Sequence, residues 1–336
     1  MSIPNNHRVP LLFALDGCRD YGELVAGGLG LSLSNHVETR FADGERKLQP
    51  LTDVRGREVF IISALHSEPG NSPRDKLCNM LFFIGALKDA AAASVTAVIP
   101  YLCYARADRR DVPTDPLTLR YVAQLFEAVG TDGVVTIDVH DPAAFENAFR
   151  VPTTHLEAAL AFVQHFVTRL DAHQQDFAVV APDPGGLKRA QRFQALLSEF
   201  TRRQVPITAM GKLRLDHVTG LEEAAGGVRG RIAIIIDDMI ATGSTLAHAI
   251  SACRNGCARQ IFAAVTHGLF VEDAEAVVVR GDLDGLVIAD TVPPFRLASE
   301  EARRKLTVVD TTALVVEEIL RSHHLLEPAA KSTTEA

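Results

Sequence analysis

The stretch "IIIDDMIATGST", Ile234–Thr245, decides the fold, because an apolar run ends there in two acids and a turn of small, hydroxyl-bearing residues. The run itself, Ile232–Asp237, is short and rich in β-branched residues, which predicts a strand buried on both faces. Gly243–Gly256 has apolar residues at three- and four-residue spacing, which predicts an amphipathic helix. The stretch therefore predicts a buried strand, a polar turn and a crossover helix.

Short apolar runs of the same kind alternate with helix-like segments along most of the chain. Further strands are predicted at Val59–Leu65, Ser94–Leu102, Gly133–Val139, Phe177–Pro182, Ile261–Phe270 and Gly285–Asp290. Asp75–Ala93 and Pro116–Gly130 are predicted to be helices. Alternating strands and helices are typical of α/β proteins, in which helices flank a mainly parallel sheet. Ligands of such folds bind beyond the carboxyl ends of the strands.

The strand pattern restarts near Val151–His165, so two similar domains are expected. A chain of 336 residues is long enough for two such domains. We place an N-terminal domain at residues 1–155, a C-terminal domain at residues 156–322 and a flexible tail at residues 323–336. The last helix of the second domain is a candidate for packing back on the first.

Composition excludes several classes of protein. The formal net charge of −8 argues against a protein whose main task is to bind nucleic acid or an anionic membrane. Apolar runs stay well short of the ~18 residues that span a bilayer, and Met1–Pro10 lacks the order of a secretory signal. The five cysteines are odd in number and scattered, which does not suggest a disulfide framework. We expect a cytoplasmic protein with neither nucleic acid nor membrane as its partner.

The turn after Ile236 has the residues of a sugar-phosphate site. A glycine and three hydroxyls open the predicted helix, where unpaired backbone N–H groups form a phosphate cradle. The two preceding carboxylates suit the vicinal hydroxyls of a ribose. An ordinary helix N-cap is the alternative, because Asp and Thr are favoured there. The stretch resembles the phosphoribosyl-diphosphate-binding signature of type I phosphoribosyltransferases and of ribose-phosphate diphosphokinases.

Two N-terminal segments resemble the ATP side of the diphosphokinases. "RFADGERKLQ", Arg40–Gln49, resembles the segment that contacts adenine, often from a neighbouring subunit, although by chemistry Asp43-Gly44 is only a hairpin turn signal. "YLCYARADRRD", Tyr101–Asp111, resembles the family's "YARQDR" segment, although an arginine-rich loop by itself is usually a solvated surface. The ATP-binding residues implied by this resemblance are Phe41, Asp43, Glu45, Arg106 and Asp108.

Two further strand ends resemble the family's magnesium-linked segments. "TIDVHDP", Thr136–Pro142, matches "DLH" and implies a role for His140, although Mg²⁺ prefers oxygen ligands and a structural histidine is the alternative. "VVAPDPGGLKRAQRF", Val179–Phe193, matches "SPDxGG" and implies that Asp183 is the second metal-linked residue. By its chemistry alone, Pro-Asp-Pro-Gly is a favourable turn.

"AMGKLRLDHVTG", Ala209–Gly220, distinguishes the diphosphokinases from the transferases. The diphosphokinases have a Lys and an Arg here on a mobile hairpin, which implies that Lys212 and Arg214 are catalytic. By itself such a pair is usually solvated. The residues expected to bind ribose 5-phosphate are Arg214, Asp237, Asp238, Ala241, Thr242, Gly243, Ser244 and Thr245.

The resemblance extends from about Pro10 to Leu320 and implies two type I phosphoribosyltransferase-like domains. It further implies transfer of the diphosphoryl group of ATP to the 1-hydroxyl of ribose 5-phosphate, with Mg²⁺ as cofactor, in a homo-oligomer. Three departures from the family pattern are Ala107, Ala241 and the "AAFENAF" segment after His140. These departures leave a catalytically weak regulatory homologue as an alternative. A phosphoribosyltransferase, which shares only the ribose-phosphate loop, is the other alternative, and the length of the chain and the ATP-side segments disfavour it.

Overall fold

The computed structural model of the chain describes residues 9–171, 174–210 and 227–323. The chain forms two compact units. The first comprises Met1–Leu156 and Thr312–Ala336, and the second comprises Glu157–Thr311. The last helix thus belongs to the first unit. The expected tail lies outside the described residues from position 324 onward.

The first unit contains a five-stranded parallel sheet in the order β1-β4-β5-β6-β7, with a separate antiparallel hairpin of β2 and β3. Its strands are β1 Leu11–Ala14, β2 His36–Arg40, β3 Arg46–Pro50, β4 Glu58–Ile62, β5 Ser94–Ile99, β6 Gly133–Ile137 and β7 Thr153–Leu156. Its helices are α1 Arg19–Gly28, α2 Pro73–Asp89, α3 Thr118–Ala128, α4 Pro142–Ala148 and, from the end of the chain, α10 Thr312–Ser322.

The second unit contains a six-stranded parallel sheet in the order β13-β12-β11-β10-β8-β9. Its strands are β8 Phe177–Ala181, β9 Ile207–Ala209, β10 Ile232–Ile240, β11 Gln260–Gly268, β12 Gly285–Ala289 and β13 Leu306–Val309. Its described helices are α5 Ala159–Arg169, α6 Leu187–Thr201, α7 Ser244–Asn255, α8 Ala274–Val278 and α9 Glu300–Lys305.

The central strands are buried on both faces, as their continuous apolar runs predicted. Every residue of β8 is buried, as are the first five residues of β10. The predicted α/β class with parallel sheets is confirmed. All five cysteines are free, and three of them are buried.

One boundary prediction was wrong, because β10 continues through both acids to Ile240 instead of ending at Asp237. Pairing with β8 ends at Ile235, whereas pairing with β11 continues to Ile240 opposite Gly268. Hydrogen bonds from one neighbour alone are enough to keep this segment extended. Both acids therefore lie within the strand, and the loop begins after Ile240.

The order of the second sheet reverses at β8. The chain places β9 on one side of β8 and β10 on its other side. In open α/β sheets the crevice at such a reversal, beyond the carboxyl ends of the strands, is where ligands bind. Among residues 9–171, 174–210 and 227–323, no helix is both long and apolar enough to cross a membrane.

Candidate active site

The loop after β10 leads directly into α7. Gly243 is the N-cap residue of α7, and the structure shows no side-chain hydrogen bond to this described helix end. Ser244 and Thr245 are exposed, and the Thr242 hydroxyl lies 3.4 Å from that of Ser244. The ordinary side-chain cap is therefore not formed. The first backbone N–H groups of α7 are oriented to receive an anion.

Gly243 is required by the geometry of this loop. Its φ of +81° lies in the left-handed region that favours glycine. A Cβ at this position would lie 2.9 Å from Cγ2 of Val277, which is on α8. Both the conformation and the close approach therefore exclude a larger residue without a shift of the loop.

Asp237 and Asp238 form an acid pair at the end of β10. Asp237 is half-buried and Asp238 is 3% exposed, and the Asp238 N–H donates to Asp237 Oδ1 at 2.9 Å. Burial raises the pKa of Asp237 well above its ordinary value, and the charge of Asp238 and a hydrogen bond between the carboxyls raise it further. The buried pair therefore resists ionisation of both carboxyls more than two separate, exposed aspartates would.

Arg189 is the functional candidate that the sequence interpretation missed. Its Nη1 lies 3.8 Å from Asp238 Oδ1, and the side chains are 16% and 5% exposed respectively. The guanidinium opposes the rise in the pKa of Asp237. Arg189 stands three residues after Gly186, the N-cap of α6, so its place in the first turn after "PDPGG" was the available signal.

Asp183 lies between β8 and α6, on the other side of the same crevice. Its Oδ1 accepts a hydrogen bond from the Gly186 N–H at 2.9 Å, and its side chain is exposed. The predicted turn is therefore formed. It leaves a carboxylate facing solvent at the end of a central strand, as an oxygen ligand for a cation requires.

The carboxyl ends of β11 and β12 are joined by a buried hydrogen-bond network. His267 Nδ1 lies 2.8 Å from the Thr291 hydroxyl, which donates to the carbonyl oxygen of Thr266 at 3.0 Å. Asp290 accepts from the backbone N–H of Thr311 at 3.0 Å and from its hydroxyl at 2.5 Å. These contacts rigidify the strand ends next to β10.

In the first unit, the predicted hairpin turn of "FADGE" is confirmed. Phe41 N–H donates to the Glu45 carbonyl at 2.8 Å, Glu45 N–H donates to Asp43 Oδ1 at 3.1 Å, and Gly44 has a φ of +97°. The Phe41 side chain is 47% exposed. A large aromatic ring is thus presented to solvent at a rigid turn.

A cavity of about 690 Å³ lies beside this hairpin. Its walls include Asp43 and Glu45 together with Arg46 and Asn79, but not Phe41. Arg106 and Asp108, the other residues assigned to ATP, also do not line it. This cavity therefore does not bring together the five residues that were predicted to bind ATP.

The loops after β5 and β6 leave the first sheet at the same end, because these two strands are adjacent and parallel. These loops carry Arg106, Asp108 and His140. Arg106 and His140 are exposed, and Asp108 is half-buried. Before His140, buried Asp138 has a φ of +40°, and its N–H donates to the Leu156 carbonyl at 2.9 Å. This bond fixes the start of the loop that carries His140.

The remaining predicted residues are distributed as follows. Lys212 and Arg214 lie outside the described residues. In the part of the chain that the structure describes, no three or more His, Cys, Asp or Glu side chains are grouped so as to hold a metal ion. Asp183 and His140 each lie on a strand-end loop, one in each unit.

Comparison with known proteins agrees with this arrangement. Two family models match, the N-terminal domain of ribose phosphate pyrophosphokinase over residues 11–130 and the phosphoribosyl synthetase-associated domain over residues 220–328. Ribose-phosphate pyrophosphokinase 1 of Streptococcus mutans is 34% identical over 328 residues, which are 96% of this chain and 97% of the relative. Its namesake from Streptococcus pyogenes serotype M1 is 33% identical over 318 residues, 93% of this chain and 94% of its own.

A solved structure extends the likeness to three dimensions. The crystal structure of phosphoribosylpyrophosphate synthetase from Mycobacterium smegmatis matches with a TM-score of 0.82 at 27% identity, covering 94% of this chain and 99% of that chain. The match confirms the predicted type I phosphoribosyltransferase-like fold. Pyrophosphokinase and diphosphokinase denote the same activity, so the resemblance inferred from the motifs is also confirmed. The chain belongs to the ribose-phosphate pyrophosphokinase family.

Proposed function

We infer that the chain transfers the diphosphoryl group of ATP to the 1-hydroxyl of ribose 5-phosphate, giving 5-phosphoribosyl 1-diphosphate and AMP. One observation carries this inference. The uncapped start of α7, the acid pair of β10 and the Asp183 loop all border the point where the second sheet reverses. That combination suits a phosphorylated sugar. The sequence similarity to pyrophosphokinases, which extends over nearly the whole chain, supports this particular reaction.

The sugar phosphate is assigned to the loop and the acid pair. The backbone N–H groups and hydroxyls of Ala241–Thr245 hold the 5-phosphate, and Asp237 and Asp238 accept hydrogen bonds from the 2- and 3-hydroxyls. Because the loop binds mainly through backbone groups, Ala241 is compatible with this role. Arg214 adds a cation on the phosphate side.

ATP is assigned to the first unit. Arg106 and Asp108 hold the nucleotide at the sheet edge, whereas Phe41, Asp43 and Glu45 lie on a hairpin with an exposed aromatic ring. We propose a homo-oligomer in which this hairpin contacts the adenine bound by a neighbouring copy. Such an arrangement accounts for the absence of Phe41 and Arg106 from the cavity beside the hairpin.

Mg²⁺ is proposed as the cofactor, with Asp183 as a candidate ligand in the second unit and His140 as a candidate ligand in the first. The exposed carboxylate of Asp183 fits this ion, which prefers oxygen and keeps several waters. When bound, the ion neutralises charge on the β- and γ-phosphates. Imidazole is a less usual Mg²⁺ partner, so we propose that His140 contacts Mg²⁺ directly or through a water. All five cysteines are free thiols, which fits a reducing cytoplasm.

The reaction needs alignment and charge neutralisation more than covalent catalysis. The oxygen of the 1-hydroxyl attacks the β-phosphorus and loses its proton to solvent. The bond from that phosphorus to the α,β-bridging oxygen breaks, and AMP leaves with this oxygen. Lys212 and Arg214 stabilise the charge on the migrating diphosphoryl group.

Product analysis tests the proposal. Purified protein is incubated with ATP, Mg²⁺ and ribose 5-phosphate, and the products are identified by mass. Formation of AMP and 5-phosphoribosyl 1-diphosphate is expected. A phosphoribosyltransferase would form no AMP from these substrates, and a regulatory homologue would form neither product, so either result contradicts the proposal.

A further inference from the structure

A cation contacts the acid pair from outside the sugar-phosphate loop. Arg189 lies in the first turn of α6, and its Nη1 is 3.8 Å from Asp238 Oδ1. Both side chains are largely removed from water, with exposures of 16% and 5%. Screening by solvent and salt is weak at such a site, so the pair interacts more strongly than an ion pair on the surface.

The contact spans the crevice at the sheet reversal. Arg189 reaches it from the helix that follows β8, whereas Asp238 belongs to β10, and the two strands are paired up to Ile235 opposite Val180. If the guanidinium is removed, a buried carboxylate loses its compensating charge. Asp238 then loses the contact that orients it, and the pair loses its geometry.

We propose that Arg189 is a positioning residue, which holds the Asp238 carboxylate where the acid pair accepts hydrogen bonds from the vicinal hydroxyls of ribose 5-phosphate. This inference rests on the proposed function of the same crevice. In this role Arg189 acts on the sugar subsite through Asp238. Its removal therefore weakens the sugar subsite selectively.

Steady-state AMP formation with Mg²⁺ tests the assignment in the full-length protein. KM is measured for each substrate with the other saturating, in wild type, Arg189→Met, Arg189→Lys and Arg192→Ala. Met retains the packing of the aliphatic stem without the charge. Arg192 is the matched control, because it lies on the same helix but pairs with Glu157 at 3.0 Å with its side chain 58% exposed.

Arg189→Met is expected to raise KM for ribose 5-phosphate at least about tenfold, with less than about a twofold change in KM for ATP. Arg189→Lys should recover most of the loss, and Arg192→Ala should behave as wild type. If KM for the sugar stays within about twofold in Arg189→Met, or if both KM values rise equally, the assignment is overturned while the proposed function stands. Absence of AMP from wild type overturns both.

A double-mutant cycle distinguishes positioning from direct contact with the substrate. In an Asp238→Asn background, Arg189→Met should raise KM for ribose 5-phosphate no further, because the residue through which it acts is already neutral. A further rise of about tenfold in that background would show a direct contact with the substrate and overturn the positioning role.

Discussion

Asp290 and Asp282, two aspartates of the second unit, differ in their surroundings, and this determines the direction in which the pKa of each is shifted. Burial raises the pKa of Asp290 to about 6, against opposing hydrogen bonds from Thr311. A side-chain hydrogen bond from Arg280 instead lowers the pKa of Asp282. Two aspartates of one unit thus contribute to stability with opposite pH dependence.

Asp290→Asn is expected to change the pH dependence of stability. The folded pKa of about 6 exceeds the ordinary 3.8, so the folded state binds this proton more tightly. The free energy of unfolding contributed by Asp290 therefore falls as pH rises through that window. The variant should remove a slope of up to about 1.4 kcal/mol per pH unit, measured by urea unfolding between about pH 4 and 6.

Asp282→Asn is the control for this measurement. Its carboxyl has a lowered pKa, so it stabilises the folded state at pH values above its ordinary pKa. This contribution is lost as pH falls through the pKa of the folded state. Asp282→Asn should therefore leave the slope between about pH 4 and 6 nearly unchanged, because this carboxyl titrates at or below its ordinary 3.8. Equal slopes in wild type and Asp290→Asn would contradict the assignment of a raised pKa to Asp290.

Gly243→Ala is expected to damage both stability and sugar binding. The left-handed backbone disfavours alanine by about 1–2 kcal/mol, and the contact with Val277 adds to this. Gly230→Ala is the control, because Gly230 has a φ of +69° but open space around its Cβ position. Thermal unfolding should show a loss in both variants. Only Gly243→Ala should also raise KM for ribose 5-phosphate.

Lys212→Ala is expected to lower turnover by at least ~10²-fold, the usual effect of removing one electrostatic group from a catalytic site. The residue lies outside the described residues, so its role follows from the resemblance alone. Lys88→Ala, which removes a cation paired with Asp132 at 2.9 Å, should leave turnover unchanged. Unchanged turnover in Lys212→Ala as well would remove Lys212 from the mechanism.

At the scale of the elements, the last helix stabilises the unit that begins the chain. α10 packs against α1, and a Cβ on Gly28 of α1 would lie 2.7 Å from Cγ2 of Val316. Glu318 is 6% exposed and accepts a hydrogen bond from the Thr154 hydroxyl at 2.9 Å. Residues far apart in sequence therefore complete the core of the first unit.

Ile319→Ala tests this contribution. Ile319 is fully buried on α10, so its truncation should lower the free energy of unfolding by about 2–5 kcal/mol. Glu317 is an exposed neighbour on the same helix. Glu317→Ala should change the free energy of unfolding by no more than about 0.5 kcal/mol. Denaturant unfolding compares them. Equal effects of the two variants would contradict a packing role for α10.

At the scale of the whole molecule, the parallel sheets of the two units differ in strand order. The first sheet follows the chain without reversal, whereas the second reverses at β8. The sugar-phosphate loop and Asp183 both border that reversal. The position of the crevice thus follows from connectivity and not from any one motif.

Removal of Mg²⁺ is expected to suppress turnover of the full-length protein. EDTA should lower AMP formation by at least ~10²-fold, and excess Mg²⁺ should restore it, since metal charge stabilises such transition states by several kcal/mol. Asp183→Asn should raise the Mg²⁺ concentration for half-maximal rate. Asp176→Asn is the control, because Asp176 precedes β8 at its opposite end and pairs with Arg203 at 3.3 Å. Turnover unaffected by EDTA would contradict the metal assignment.

The sequence by itself determined the fold class and the catalytic family. Short, near-continuous apolar runs rich in β-branched residues suit strands buried on both faces, so β8 was located correctly, as was β10 except for its end. The glycine and hydroxyls of Ala241–Thr245 act through local backbone geometry, so their position at the start of α7 was also readable. These features depend on neighbours along the chain.

Tertiary structure alone decided the features that depend on distant partners. β10 extends to Ile240 because β11 continues to pair with it, which no local pattern encodes. Arg189 is an ordinary helix residue in sequence and becomes significant only because the sheet reversal brings α6 against Asp238. The raised pKa of Asp237 likewise requires burial. Pairing, ion contact and desolvation are all set by the packing of segments that the sequence keeps apart.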